Sequence, residues 1–360
     1  MSRIVSKSPE AIIRDDIRAL SGYRIADASG MIKLDAMENP YRLPEDVRGQ
    51  IADAVARAEI NRYPESGAPR LKKILREVLG IPGEADVLLG NGSDEIIQLL
   101  ALATARPGAA MLCLEPTFVM FRLIAAFCGV RYVGVPLGND FALDAERTVA
   151  AIEEHQPPLV FIVYPNNPTG NLFDSAAIDR VIQAAPGLVV LDEAYHAFAG
   201  RSYMERLADF PNLVVMRTLS KSGLAGLRLG VLAGNGEWLR HLEKIRLPYN
   251  IGVLTQVVAE EALRHRALLD SQAAAIRGER GRLARELASI PGTKPYPSDA
   301  NFILFRTTTA DRTFEGLRER GVLIKNLHGS HPALDDCLRV TVGTPAENDR
   351  FLAALRECSA

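Results

Sequence analysis

The chain has 360 residues, 48% hydrophobic and 24% charged, with 42 Lys and Arg against 44 Asp and Glu. That length and composition support two or more domains, with a core large enough to need no disulfide or metal staple. A formal net charge of −2, with no block of like charge, argues against nucleic acid or an anionic membrane as partner.

The N-terminal stretch lacks an apolar h-region, and no segment approaches a membrane span. The four cysteines are scattered without a CxxC pair and read as reduced thiols. The expectation is a soluble, cytoplasmic protein. Residues 1–35 read as an N-terminal arm, with a short amphipathic helix at roughly 9–20 and breakers at Gly22 and Gly30.

From about residue 70 to 235, apolar runs of strand length recur at 87–89, 110–114, 132–135, 159–164, 188–191 and 213–216. Segments of helical period separate several of them, including 94–105 and 176–185. Strands alternating with helices predict an α/β fold, with a largely parallel sheet covered on both faces. RLGVLAG (228–234) reads as one more strand, and the large domain is expected to span 36–245. Beyond it come helical stretches at 253–289, a strand at 301–305, a helix near 311–320 and a strand around 337–342. These predict a smaller α+β domain over 246–360, with the N-terminal arm packing nearby.

In such sheets, ligands gather beyond the carboxyl ends of the strands. There stand Gly90-Asn91-Gly92-Ser93-Asp94, Pro165-Asn166-Asn167-Pro168-Thr169-Gly170, Asp192-Glu193-Ala194-Tyr195, and Arg217-Thr218-Leu219-Ser220-Lys221 with Arg228 seven residues later. Singly, each has an ordinary explanation as a turn, a cap or a solvated lysine. Together they supply what a pyridine-aldehyde cofactor needs. Lys221 offers the amine that holds it as an imine, and Asp192 a carboxylate beside the ring nitrogen. Asn167 and Tyr195 offer donors to the ring oxygen. Gly92, Ser93 and Asp94 at a helix start, the hydroxyls of Thr218 and Ser220, and Arg228 offer a phosphate cradle. Phe118 offers a face to stack on the ring. His328 and His331 lie in a Pro-containing loop without further ligands, so no metal site is expected.

The ordered set NPTG, DEAY, TLSK and AGLRLG resembles fold-type I, class-II aminotransferases dependent on pyridoxal 5'-phosphate, and more narrowly the histidinol-phosphate aminotransferase family. The resemblance runs from LDAMENPY (34–41) and NRYPE (61–65) to CLRVTVGT (337–344), nearly the whole chain. It implies a seven-stranded, mostly parallel sheet in the large domain. It also implies that Lys221 both binds the cofactor and shuttles the proton. By the same resemblance Tyr63 reaches the cofactor phosphate of a neighbouring subunit, so a homodimer with shared active sites is expected. Arg339 would bind the substrate's anionic end, with Tyr23, Asn39 and Lys325 beside it.

The chain departs from many relatives in spacing Lys221 and Arg228 by seven residues rather than eight, in carrying Phe118 where Tyr is frequent, and in placing Lys325 where some relatives have Arg. Lysine keeps the charge and loses the bidentate fork. The implied reaction converts histidinol phosphate and 2-oxoglutarate to imidazole-acetol phosphate and glutamate, the transamination step of histidine biosynthesis. Its partners would be a small-molecule amino donor and a keto acid. Two rivals share the same cofactor residues: a broad-specificity or aromatic aminotransferase, and a lyase resembling threonine-phosphate decarboxylase.

Overall fold

The computed structural model describes residues 8–22 and 26–359. Its central sheet has seven strands: β1 (Asp86–Asn91), β2 (Ala110–Glu115), β3 (Arg131–Pro136), β4 (Leu159–Val163), β5 (Leu188–Asp192), β6 (Leu213–Thr218) and β7 (Leu229–Gly234). They lie in the order β1-β7-β6-β5-β4-β2-β3, and their number is the seven that the resemblance implies. Every pairing is parallel except those of β7, which runs antiparallel to both β1 and β6. The continuous apolar runs arise because both faces are covered. Alternate residues divide between two cores: Leu88, Met111 and Phe161 pack with helices Ser93–Thr104 and Met120–Cys128, while Val87, Leu112 and Ile162 pack with Pro69–Leu79 and Ser175–Ala184.

A four-stranded antiparallel sheet forms a second body. Its order is Lys325–Asn326, Cys337–Thr341, Phe302–Arg306, Lys294–Pro295. Residues of helices Arg266–Ala288, Ala310–Glu319 and Pro345–Ser359 share its core. The N-terminal segment joins this body: Ile32–Lys33 pairs in parallel with Val322–Leu323, and Leu34 and Met37 enter the core.

Two expectations need correction. The stretch 9–20 is not one helix but two single turns, Pro9–Ile12 and Asp15–Arg18, separated by extended backbone at Ile13 and Arg14. Neither turn buries a residue, so no packed face offsets the cost of helix nucleation. The division at 245 also does not coincide with a change of core. Ile251, Ala259, Ala262, Leu263 and Leu269 still pack into the core of the large sheet, and past residue 245 the chain feeds the second core from Ala273 onward. The sequence changes character where strands stop alternating with helices, whereas the core changes partway along the helix Arg266–Ala288.

Candidate active site

The carboxyl ends of β1, β5 and β6 open onto a cleft lined by Ser93, Asp94, Phe118, Asn167, Asp192, Tyr195, Thr218, Ser220, Lys221 and Arg228. Met37, Val163 and Ala194 complete it. At one end β1 turns through Gly92 (φ 82°) into helix Ser93–Thr104. Glycine is required here twice. A Cβ on Gly92 would sit 2.5 Å from Arg228 Nη2, and one on Gly230 of β7 would sit 2.6 Å from the Gly92 carbonyl carbon. The guanidinium therefore lies directly against the turn that opens the helix, where backbone N–H groups and the helix dipole favour an anion. Ser220 Oγ accepts from Thr218 Oγ1 (2.9 Å) and from Arg228 Nη1 (3.3 Å), leaving its own proton to donate. This end fits a phosphate.

The short Lys221–Arg228 loop still delivers its guanidinium there. Residues Ser220–Leu224 form a π-type turn with Gly223 at φ 103°, followed by a 3-10 turn. Arg228 then takes the left-handed conformation (φ 49°, ψ 51°), uncommon for a side-chain-bearing residue. Local backbone adjustment thus compensates for the missing residue.

At the other end, the half-buried Lys221 donates from Nζ to the carbonyl of Ala36 (3.0 Å). Burial, then the positive charge of Arg339, lowers its pKa to about 8, so the free amine is accessible near neutrality. Asp192 is 4% exposed, at the end of the central strand β5. Burial raises its carboxyl to about 7, although Oδ1 accepts from the Ala194 N–H (3.0 Å). A protonated ring nitrogen beside it would supply the cation that its ionised form lacks. Its neighbour Glu193 is held by Arg217 through Nε (3.0 Å) and Nη2 (2.8 Å), a buried fork that ties β5 to β6. The Tyr195 phenol stays protonated because burial pushes its pKa up, and its hydroxyl contacts Met37 Sδ at 3.6 Å. Phe118 meets Phe121 edge-on (5.7 Å, 88°).

Asn167 and Phe118 also line an adjoining chamber with Glu115, Arg122, Lys325, His331 and Arg339. Arg339 Nη1 donates to Asn167 Oδ1, and Nη2 to the carbonyl of Asp35 (3.0 Å). Lys325 is the registered partner of Arg339 on the adjacent strand, so two cations share one wall. Burial, then Arg339, lowers the Lys325 pKa.

Three of the described residues expected at the site line neither cleft: Gly92, whose turn lies against Arg228, Asn39 and Tyr63. Asn39 lines neither; its amide donates to Gln272 (3.0 Å) and its oxygen accepts from the Tyr41 N–H (2.9 Å), fastening the segment beside the Lys221 turn. Tyr63 is 81% exposed and stacks on Tyr249 (4.6 Å, 16°). Tyr23 lies outside the described residues. Conversely, the reading by motif missed the Ala36 carbonyl, Met37 and the chamber wall of Glu115, Arg122 and His331. Glu115 ends a strand, as Asp192 does, so the strand-end rule could have found it.

The fold and the matched family model define an aminotransferase: the chain belongs to the aminotransferase class I and II family, whose model matches residues 29–355. It is 53% identical over 350 residues to histidinol-phosphate aminotransferase 2 of Cupriavidus pinatubonensis, covering 96% of both chains. It is 54% identical to histidinol-phosphate aminotransferase 2 of Nitrosococcus oceani, again covering 96% of each. Among solved structures, it matches histidinol-phosphate aminotransferase of Sinorhizobium meliloti in complex with pyridoxal 5'-phosphate, at TM-score 0.85, 26% identity and 96% of each chain.

Proposed function

We propose that this chain is a pyridoxal-phosphate-dependent aminotransferase of histidine biosynthesis. It moves the amino group of L-histidinol phosphate to 2-oxoglutarate, giving imidazole-acetol phosphate and glutamate. The observation that carries this reading is the pairing of Lys325 and Arg339 on one wall of a chamber that meets the lysine cleft at Asn167. The relatives named above support it.

Gly92, Ser93, Thr218, Ser220 and Arg228 hold the cofactor phosphate, with Asp94 aligning Arg228 (3.5 Å). Bound there, the cofactor supplies an aldehyde carbon for the amine and a ring that withdraws electrons from it. With the cofactor bound, Asp192 would balance the ring nitrogen, Asn167 and Tyr195 would serve its oxygen, and Phe118 would offer a face to the ring. Lys221 Nζ, oriented by the Ala36 carbonyl, takes the Cα proton of the donor and holds it on the face from which it is returned. Arg339 binds the anionic end of whichever substrate is present, a phosphate in one half-reaction and a carboxylate in the other, and Lys325 adds charge.

The chain works as a cytoplasmic homodimer in this proposal. Tyr63, stacked on Tyr249, and the exposed Ile60 and Leu247 would then meet a second copy. Sedimentation of the cofactor-loaded enzyme as a monomer would overturn that part.

The test of substrate is a set of half-reactions with histidinol phosphate, phenylalanine and threonine phosphate, read by absorbance of the lysine-bound cofactor. Rapid loss of that absorbance with histidinol phosphate is expected. A response to phenylalanine alone would transfer the function to a general amino-acid aminotransferase. Released CO₂ would indicate a lyase.

A further inference from the structure

The lining of the substrate chamber includes a carboxylate that the cofactor residues do not use. Glu115 closes β2 and lines the chamber together with Arg122, Tyr132 and His331. Its Oε1 accepts from Arg122 Nη2 at 2.5 Å, and that guanidinium lies over the Tyr132 ring, 4.3 Å from the centroid. The other oxygen, Oε2, lies over Gly134 of the neighbouring strand, where any Cβ would collide with it. His331 Nε2 is 4.0 Å from Oε2, beyond hydrogen-bond range. The opposite ring nitrogen, Nδ1, accepts from the Ala333 N–H (3.1 Å), which leaves the ring hydrogen on Nε2, the side nearer Glu115. A carboxylate has about four lone-pair sites, so acceptor capacity remains beside the chamber.

An ordinary surface ion pair does not account for this arrangement. The Glu115 side chain is 19% exposed and that of Arg122 59%, and a pair with one member so exposed adds little stability. The carboxylate is instead seated in a recess that glycine keeps open.

The chamber therefore has two chemical poles, Lys325 and Arg339 for an anion and Glu115 for a hydrogen-bond donor. Building on the function proposed above, we infer that Glu115 is a specificity-determining residue that accepts the ring N–H of the imidazole-bearing amino donor. Arg122 acts as a positioning residue that orients its carboxylate. A phenyl ring of the same size offers no donor and would leave Glu115 desolvated against hydrocarbon. Sites built to bond a substrate N–H discriminate strongly against analogues that lack one. Glutamate places no donor there, and is held by the cationic pole alone.

The experiment compares cofactor-loaded wild type, Glu115→Gln and Glu115→Met in half-reactions with histidinol phosphate, glutamate and phenylalanine. Glu115→Met should weaken histidinol phosphate by about tenfold or more, leave glutamate within about twofold, and improve phenylalanine. Glu115→Gln, which keeps shape and one acceptor, should fall between wild type and Glu115→Met. Equal losses on all three donors, or an unchanged response to histidinol phosphate in Glu115→Met, would overturn the inference while leaving the function standing. A wild-type enzyme silent towards histidinol phosphate would instead overturn the function.

Discussion

The cofactor cleft and the substrate chamber share Asn167 and Phe118, yet they are built in opposite ways. The cleft is assembled from short motifs at adjacent strand ends of one sheet, and backbone meets backbone there, as at Gly230 against Gly92. The chamber is assembled from side chains on three separated stretches, around 115–132, at 167–168 and at 325–339, contributed by two different sheets. A site set by backbone packing tolerates little change and suits an unvarying ligand. One set by long side chains across a seam can present cations and a carboxylate to unlike substrates.

The sharpest break in the comparison is Lys221→Ala. It should lower turnover by about a thousandfold or more and abolish borohydride-reducible cofactor, while the folded protein still binds cofactor through its phosphate. A reducible band surviving in that variant would refute the lysine assignment.

Arg339→Ala tests the other region. It should raise the KM for both donor and keto acid by roughly ten- to a hundredfold and leave cofactor affinity nearly intact. Parallel loss of cofactor would mean that the bond from Arg339 to Asn167 makes the two regions one unit.

Glycine substitutions sharpen the contrast. Gly230→Ala drives a Cβ into fixed backbone and should cost about 1–3 kcal/mol of stability, together with cofactor affinity. Gly134→Ala meets only the tip of Glu115, so it should disturb histidinol phosphate alone. Thermal unfolding with and without cofactor separates the two.

The smallest effect expected is on pH. With its pKa lowered to about 8, Lys221 in the cofactor-free protein is mostly amine above that pH and mostly ammonium below it. The rate of imine formation should therefore fall about threefold between pH 8.5 and 7.5. A rate that kept rising towards pH 10 would mean that burial does not depress this lysine.

Much of the cleft was legible because its residues immediately follow apolar runs, and the sheet's geometry brings strand ends together. Asp192, Thr218, Ser220 and Lys221 needed only that rule. The antiparallel sense of β7 was not legible, since an apolar run records burial and not direction. Nor was the break in the helix expected over 9–20, where periodicity is present but neither turn buries a residue.

By itself, the sequence determined the layered α/β architecture and which strand-end residues, Asp192, Thr218, Ser220 and Lys221 among them, meet in one cleft. All of these rest on periodicity and on spacings within a few residues, which the chain encodes locally. Only the tertiary structure decided that Arg228 reaches the helix start through a left-handed residue, that residues 251–269 belong to the large core, and that Glu115 faces the chamber holding Lys325 and Arg339. Those outcomes depend on contacts between segments far apart in the chain, where packing selects among arrangements that local preference leaves nearly equal.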